Sequence, residues 1–310
     1  MAVYTEVSDE ELSAFLAGYD LGQVLACKGI AEGVENSNYF LQTSAGSFIL
    51  TLYEKRVCAE DLPFFLALMD HLAARGLTCP QPVHNRKGDA LGRLAGRPAV
   101  IVTFLTGISV KRPNARHCYA LGGALAQLHE AGRDFFMRRP NALSIESWPV
   151  LFSAAEAQAD VVTPGLAERT RRELEHLQAE WPMGLPTGVI HADLFTDNVF
   201  FMGDRVSGLI DFYFACTDAL AYDLAVCLNA WCFEADGSFN HTKGQAMIAG
   251  YEKVRRLEPQ EVAALPTLCR GSALRFMLTR LVDWLNVPPG ALVKPKDPLE
   301  YDGKLAFHRH

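Results

Sequence analysis

Nothing in this 310-residue sequence approaches 18 consecutive uncharged apolar residues, so it offers no helix able to cross a bilayer. The opening residues, Met1-Ala2-Val3-Tyr4-Thr5-Glu6, lack the basic start and apolar run of a secretory signal, and a soluble, cytoplasmic protein is expected. A positive excess is missing as well. The net charge is -7, and Arg138-Arg139, Arg171-Arg172 and Arg255-Arg256 stand as separate doublets. Nucleic-acid binding draws on a concentrated basic surface, so no nucleic-acid partner is expected. The eight cysteines (Cys27, Cys58, Cys79, Cys118, Cys216, Cys227, Cys232 and Cys269) include no Cys-x-x-Cys pair. That spacing argues against a zinc ribbon, a dithiol redox motif or a small disulfide scaffold, and reduced core thiols are the reading. There is no internal repeat and no low-complexity segment.

The chain is long for a single core, and two lobes are expected. Ser8-Asp9-Glu10-Glu11 is a capping box, after which Leu12, Phe15, Leu16 and Tyr19 recur at helical spacing until Gly22. Short β-like runs follow at 24–27, 38–43 and 47–53, the last two joined by Ser44-Ala45-Gly46, a hairpin signal. Residues 61–75 have helical periodicity and end at Gly76, and 99–105 is another strand-like run. Beyond Gly107 the pattern is mainly helical: one helix through Leu121, Leu125 and Leu128 to Gly132, one starting at Thr163-Pro164 and running through Leu174, Leu177 and Trp181, and an apolar helix over 272–285. The expected architecture is α+β, with a small β-rich lobe over 1–106 and a larger, mainly helical lobe over 107–310.

The chemistry concentrates in His191-Ala192-Asp193-Leu194-Phe195-Thr196-Asp197-Asn198, which has the spacing His-x-Asp-x-x-x-x-Asn. A carboxylate in such a loop can face an acceptor hydroxyl, orient it and take its proton. Asn198, just over a turn later, offers a neutral carbonyl oxygen to Mg²⁺. His191 reads as a residue that holds the loop's shape. Two β-like runs, 199–202 and 206–210, then turn at Gly203-Asp204 and deliver Ile210-Asp211-Phe212. A second acid at the end of a hairpin beside the first loop is what metal-dependent phosphoryl transfer requires, so Asp211 is the expected principal metal ligand.

With these motifs in place, the sequence resembles the aminoglycoside phosphotransferase and choline kinase superfamily, relatives of the protein kinases. The similar segments are 33–40, 48–54, 61–77, 121–129, the Asp193 loop and 210–231, in the family's order. Within the superfamily the bacterial homoserine kinases are the most similar subgroup. The resemblance implies a bilobal protein-kinase-like fold, ATP and Mg²⁺ between the lobes, and phosphorylation of the L-homoserine hydroxyl on the route to threonine. It also implies that Val102, Phe104 and Leu105 lie in a hinge whose backbone meets adenine. Gly29, Gly33, Ser37 and Asn38 would belong to a loop over the phosphates. Two positions depart from the wider pattern. Tyr213 stands where protein kinases have the glycine of Asp-Phe-Gly, and Thr51 stands where the third strand usually carries Lys or Arg. Lys28, Lys55 or Arg56 could replace that charge, or the metals could suffice; Glu60 is the candidate for the acid such a cation would pair with.

Homoserine presents an ammonium and a carboxylate besides its hydroxyl, and calls for an acid and a guanidinium. Asp197 and Asp218 are candidates for the first, and Arg275 and Arg280, with Arg270 nearby, for the second. Each of these arginines could equally form a structural salt bridge. Asp223 reads as a buttress of the Asp193 loop. Tyr213, Phe214, Trp231 and Phe233 are candidate pocket aromatics or plain core. His129, at a helix end, is expected to satisfy terminal carbonyls. Choline, an aminoglycoside or another amino alcohol stays open as acceptor, and choline would favour an aromatic cage. An ATP-binding pseudokinase is the non-enzyme reading; the presence of Asp193, Asn198 and Asp211 argues against it.

Overall fold

The computed structural model describes residues 5–30, 36–54, 58–287 and 295–309. Ser8 opens α1 (Asp9–Leu16) with both capping-box bonds formed, Glu11 amide to Ser8 Oγ and Ser8 amide to Glu11 Oε2. The helix is shorter than its periodicity suggested, and Tyr19 packs from the turn beyond it. β1 (Val24–Gly29), β2 (Ser37–Thr43) and β3 (Gly46–Leu52) follow, then α2 (Leu62–Ala74), which ends at Gly76 with φ +84°. β4 (Leu91–Leu94) and β5 (Arg97–Thr103) complete an antiparallel sheet in the order β1-β2-β3-β5-β4. Strand β4 escaped the sequence reading because Leu91-Gly92-Arg93-Leu94 is short and carries a glycine; its pairing with β5 defines it.

The strand registers give this sheet two different faces. Tyr39, Leu41, Leu50, Leu52 and Ile101 pack with Leu12 and Leu16 of α1 in one apolar cluster. Directly paired residues share a face, so Phe40, Ile49 and Val102 lie together on the other, as do Asn38, Thr51 and Val100. Val100 and Val102 belong to the second, larger core, which runs into the C-terminal part.

That part comprises β6 (Ile108–Ser109), α3 (Ala115–Ala131), α4 (Trp148–Ser153), α5 (Glu156–Val162), α6 (Leu166–Glu180), β7 (Thr187–Ile190), β8 (Val199–Met202), β9 (Arg205–Leu209), β10 (Cys216–Ala219), α7 (Leu220–Trp231), α8 (His241–Glu252), α9 (Pro259–Leu285) and α10 (Pro298–Phe307). Helix α6 starts later than Thr163-Pro164. Thr163 terminates α5, Gly165 turns at φ +76°, and Asp160 of α5 accepts the Ala167 amide at 2.8 Å, so a neighbouring helix supplies the cap. The apolar run at 272–285 is the second half of a 27-residue helix that continues back through Pro266. Helices α3 and α8 meet backbone to backbone: a Cβ on Gly122 would lie 2.0 Å from the Met247 carbonyl oxygen, and one on Gly250 2.0 Å from that of Tyr119. All eight cysteines are free thiols, and among the described residues no helix is long and apolar enough to cross a membrane.

Candidate active site

Strand β7 ends at buried Ile190, paired with Cys216 of β10, and the chain turns at Ala192 with φ +63°. A non-glycine residue in that region needs support from its surroundings. The support is Asp223 of α7, fully buried, whose two oxygens accept the amides of His191 (2.7 Å) and Ala192 (2.8 Å). Burial opposes its charge, but His129, His191 and these amides outweigh burial and hold the carboxyl below its ordinary value. His129 caps no carbonyl, contrary to expectation. Its Nε2 donates to Asp223 Oδ2 at 3.2 Å while Nδ1 accepts from the Tyr251 hydroxyl at 2.7 Å, so α3, α7 and α8 converge behind the loop. No sequence signal marked His129, because its partners lie 94 and 122 residues away.

His191 links this loop to the next acid, as its Nε2 donates to the Ile210 carbonyl at 2.9 Å. Burial keeps the imidazole below its ordinary pKa, which suits a neutral ring donating through one nitrogen. Asp211 then leaves β9 at φ +66° and is exposed. Trp231 is core: its indole N–H donates to the Leu194 carbonyl at 2.8 Å and steadies the same loop from below.

Asp193 has 20% of its side chain exposed. Asn198 Nδ2 donates to its carbonyl oxygen (2.8 Å) and to Oδ2 (3.3 Å), which turns the Asn198 Oδ1 away from Asp193. The other carboxylate oxygen, Oδ1, faces Arg275 Nη1 at 3.8 Å. Burial pushes the Asp193 carboxyl up to about 7, with Arg275 and Lys296 pulling it down and Asp211 and Asp197 adding to the rise. Asp193, Asn198 and Asp211 are thus brought together with Arg275. Asp197 is exposed beside Lys296 (3.9 Å), whose ammonium lies 5.1 Å from the Phe195 ring centre.

The remaining candidates disperse. Asp218, on β10 opposite Gly188 of β7, is engaged by Asn141 at 2.7 Å. Arg280 pairs with Glu300 (2.6 Å) and the Asp297 carbonyl (3.1 Å), and Arg270 with Glu173 and His176. The aromatic candidates form no cage. The Tyr213 hydroxyl bonds that of Tyr53 at 2.8 Å and the ring meets Phe65 of α2; Trp231 is buried near Phe201; Phe233 packs on Phe239 and Phe307.

On the N-terminal side, the Ser37 hydroxyl is committed to Glu54 (2.8 Å) and the Thr5 amide (3.0 Å). Asn38 accepts from Thr51 Oγ1 at 2.8 Å, so the strand-three position holds a hydrogen-bonded threonine and no cation. Of the alternatives, Lys28 is exposed on β1 opposite Phe40, while Lys55 and Arg56, like Gly33, lie outside the described residues. Glu60 accepts from Cys58, and it is Asp61 that meets a cation, Arg139 at 2.8 Å. In the 102–105 segment, the Phe104 amide is spent on the Ser47 carbonyl (3.3 Å), and the Leu105 amide has no partner among the described residues. Gly29 ends β1.

An antiparallel N-terminal sheet with a helical C-terminal part, in which the loop after β7 presents Asp193 and Asn198 and the turn after β9 presents Asp211, is the organisation of kinase-like phosphotransferases. The chain belongs to the phosphotransferase enzyme family, which its residues 26–257 match. It is 75% identical to a homoserine kinase of Methylobacterium nodulans and 74% identical to one of a Methylobacterium species, over 100% of this chain and 96% of each relative. Among solved structures, an amicoumacin kinase complexed with AMP-PNP and Ca²⁺ superposes with a TM-score of 0.68 at 15% identity, covering 97% of this chain and 92% of that one, a likeness of fold.

Proposed function

We propose that this protein transfers the γ-phosphoryl group of Mg-ATP to the side-chain hydroxyl of L-homoserine, giving O-phospho-L-homoserine. The observation that carries this is the 75% identity, over the whole chain, to a homoserine kinase. The geometry around Asp193 supports the same chemistry. On this reading residues 1–106 form the nucleotide lobe and 107–310 the catalytic lobe of a cytoplasmic enzyme acting in threonine biosynthesis.

Asp193 orients the acceptor hydroxyl and takes its proton as the oxygen attacks. Its raised pKa makes the ionised carboxylate a better proton acceptor than an exposed aspartate. His191 and Asp223 position the loop from behind and touch no substrate. Asn198 Oδ1 and Asp211 are the side chains that would hold Mg²⁺. Among the described residues no three His, Cys, Asp or Glu side chains cluster as a metal cage, and magnesium held by one or two protein ligands plus phosphate oxygens needs none. Magnesium, when bound, neutralises charge on the phosphate oxygens. Adenine would lie on the Phe40, Ile49 and Val102 face and accept from the Leu105 amide. Rate enhancement comes from positioning and charge stabilisation.

The test is ADP release from Mg-ATP with L-homoserine, L-serine, choline and kanamycin. Selective turnover of L-homoserine is expected. Selective turnover of another acceptor would replace the substrate, and none at all with retained ATP binding would support a pseudokinase.

A further inference from the structure

Arg275 sits in the middle of α9, with only 5% of its side chain exposed. A guanidinium has five N–H donors, and burying them without acceptors is costly. Its neighbours in sequence solve this with protein groups: Arg270 has Glu173 and His176, and Arg280 has Glu300 and the Asp297 carbonyl. Among the described residues Arg275 makes no hydrogen bond. Its sole ionic contact is the one to Asp193, at 3.8 Å, beyond hydrogen-bond length. The group is held by its flat faces instead, with Cζ 3.8 Å from the Phe276 ring centre and 5.5 Å from that of Phe214. Stacking occupies the π surface and leaves the in-plane N–H edges available to a planar acceptor.

The two oxygens of Asp193 divide the site. Oδ2 faces Asn198, on the side assigned to metal and phosphate, and Oδ1 faces Arg275. Two hydroxyls, those of Tyr222 and Tyr301, are buried with no hydrogen-bond partner among the described residues. Both lie within electrostatic reach of Arg275, and Tyr301 also of Asp193. Arg275 and these two hydroxyls therefore bring unsatisfied polar groups to the neighbourhood of the guanidinium.

We infer that Arg275 receives the α-carboxylate of the acceptor, and that this contact makes the site one for an amino acid in place of an amino alcohol. The inference rests on the homoserine reading and deepens it. In homoserine three carbons separate the hydroxyl from the carboxylate, a span of about 5 Å from standard bond lengths. One molecule can therefore place its hydroxyl on Asp193 and its carboxylate on the guanidinium beside it. The fork-to-carboxylate match also supplies direction, since a bidentate pair fixes the acceptor's orientation.

The experiment compares L-homoserine with 3-amino-1-propanol, which lacks only the carboxylate, in the wild type, Arg275→Met and Arg275→Lys. In R275M the KM for L-homoserine is expected to rise roughly 100-fold, while the Ki of 3-amino-1-propanol as competitor changes less than about threefold. R275K keeps the charge without the fork and is expected to raise KM by about tenfold with the same small change in Ki, and it serves alone if R275M fails to fold. A parallel loss for both ligands, or a fall in kcat with KM unchanged, would overturn the inference and assign Arg275 to Asp193 or the phosphoryl group. Failure of the homoserine reading shows itself separately, as wild-type protein that does not turn over L-homoserine.

Discussion

At Asp193, burial bears on stability and, on the proposed mechanism, on rate. Burial lifts its carboxyl to about 7, well above its unfolded value. The folded state therefore prefers the protonated acid and loses stability as pH rises from about 4 to about 7. Asp193→Asn removes a carboxylate that folding disfavours. At pH 8 the variant is expected to be more stable than wild type by about 2 kcal/mol, and the two should converge below about pH 4. Urea midpoints at both pH values measure this; an asparagine variant equally destabilised at each pH would contradict it. The same variant should lose kcat by roughly 1000-fold or more while its KM for ATP stays within about threefold. Near-normal turnover would remove Asp193 from the mechanism. Asp193, Asn198 and Asp211 were all legible in the sequence because a loop and a hairpin bring them together within a short stretch of chain. The separate fates of Arg270, Arg275 and Arg280 were not legible, because identical residues on one helix differ only in what other elements place opposite them.

At the scale of elements, α7 matters most, since Asp223 ties its first turns to the loop after β7. Asparagine there retains one acceptor oxygen but turns an NH₂ toward an amide that also donates. Asp223→Asn is therefore expected to cost about 2–4 kcal/mol and to lower kcat by roughly tenfold or more, the second through misplacement of the loop. Denaturation midpoints and steady-state kinetics read the two effects; a variant with wild-type stability would show that the Ala192 turn needs no support. Asp223 was readable as a buttress from its place after the hairpin. Its partner His129 was not, since α3 meets α7 only through tertiary packing. The start of α6 was misplaced for a similar reason. Thr163-Pro164 has the composition of a helix start, but the cap comes from Asp160 of another helix.

Across the whole molecule, groups with opposed preferences titrate in the same range. Burial lowers His308 to about 4 and lowers His191 as well, so both must take up protons on unfolding below about pH 6.5. Asp193 and Asp218, raised by burial, instead release protons on unfolding in that range. The slopes offset, and stability is expected to stay nearly level from pH 7 to about 4.5. Below about pH 4 it should fall steeply, because Asp223, Glu173 and Glu300 are held below their ordinary values by their partners and must protonate. Urea midpoints between pH 7 and 3 would show a plateau and then a drop. A steady decline beginning at pH 7 would contradict the offset, whereas D193N should show that decline, its compensating acid having been removed.

The sequence alone determined the β-rich start, the helical remainder, the spacing around Asp193 and the turn that delivers Asp211. Each of these follows from backbone periodicity or from side chains close in the chain. Only the tertiary structure decided which charges are paired. Arg280 finds Glu300, Asp218 finds Asn141, and Ser37 is spent on Glu54, while Arg275 is left beside Asp193 with its hydrogen-bond donors unmet among the described residues. The free energy of a buried charge depends on groups brought from distant elements, and local sequence does not encode their arrival.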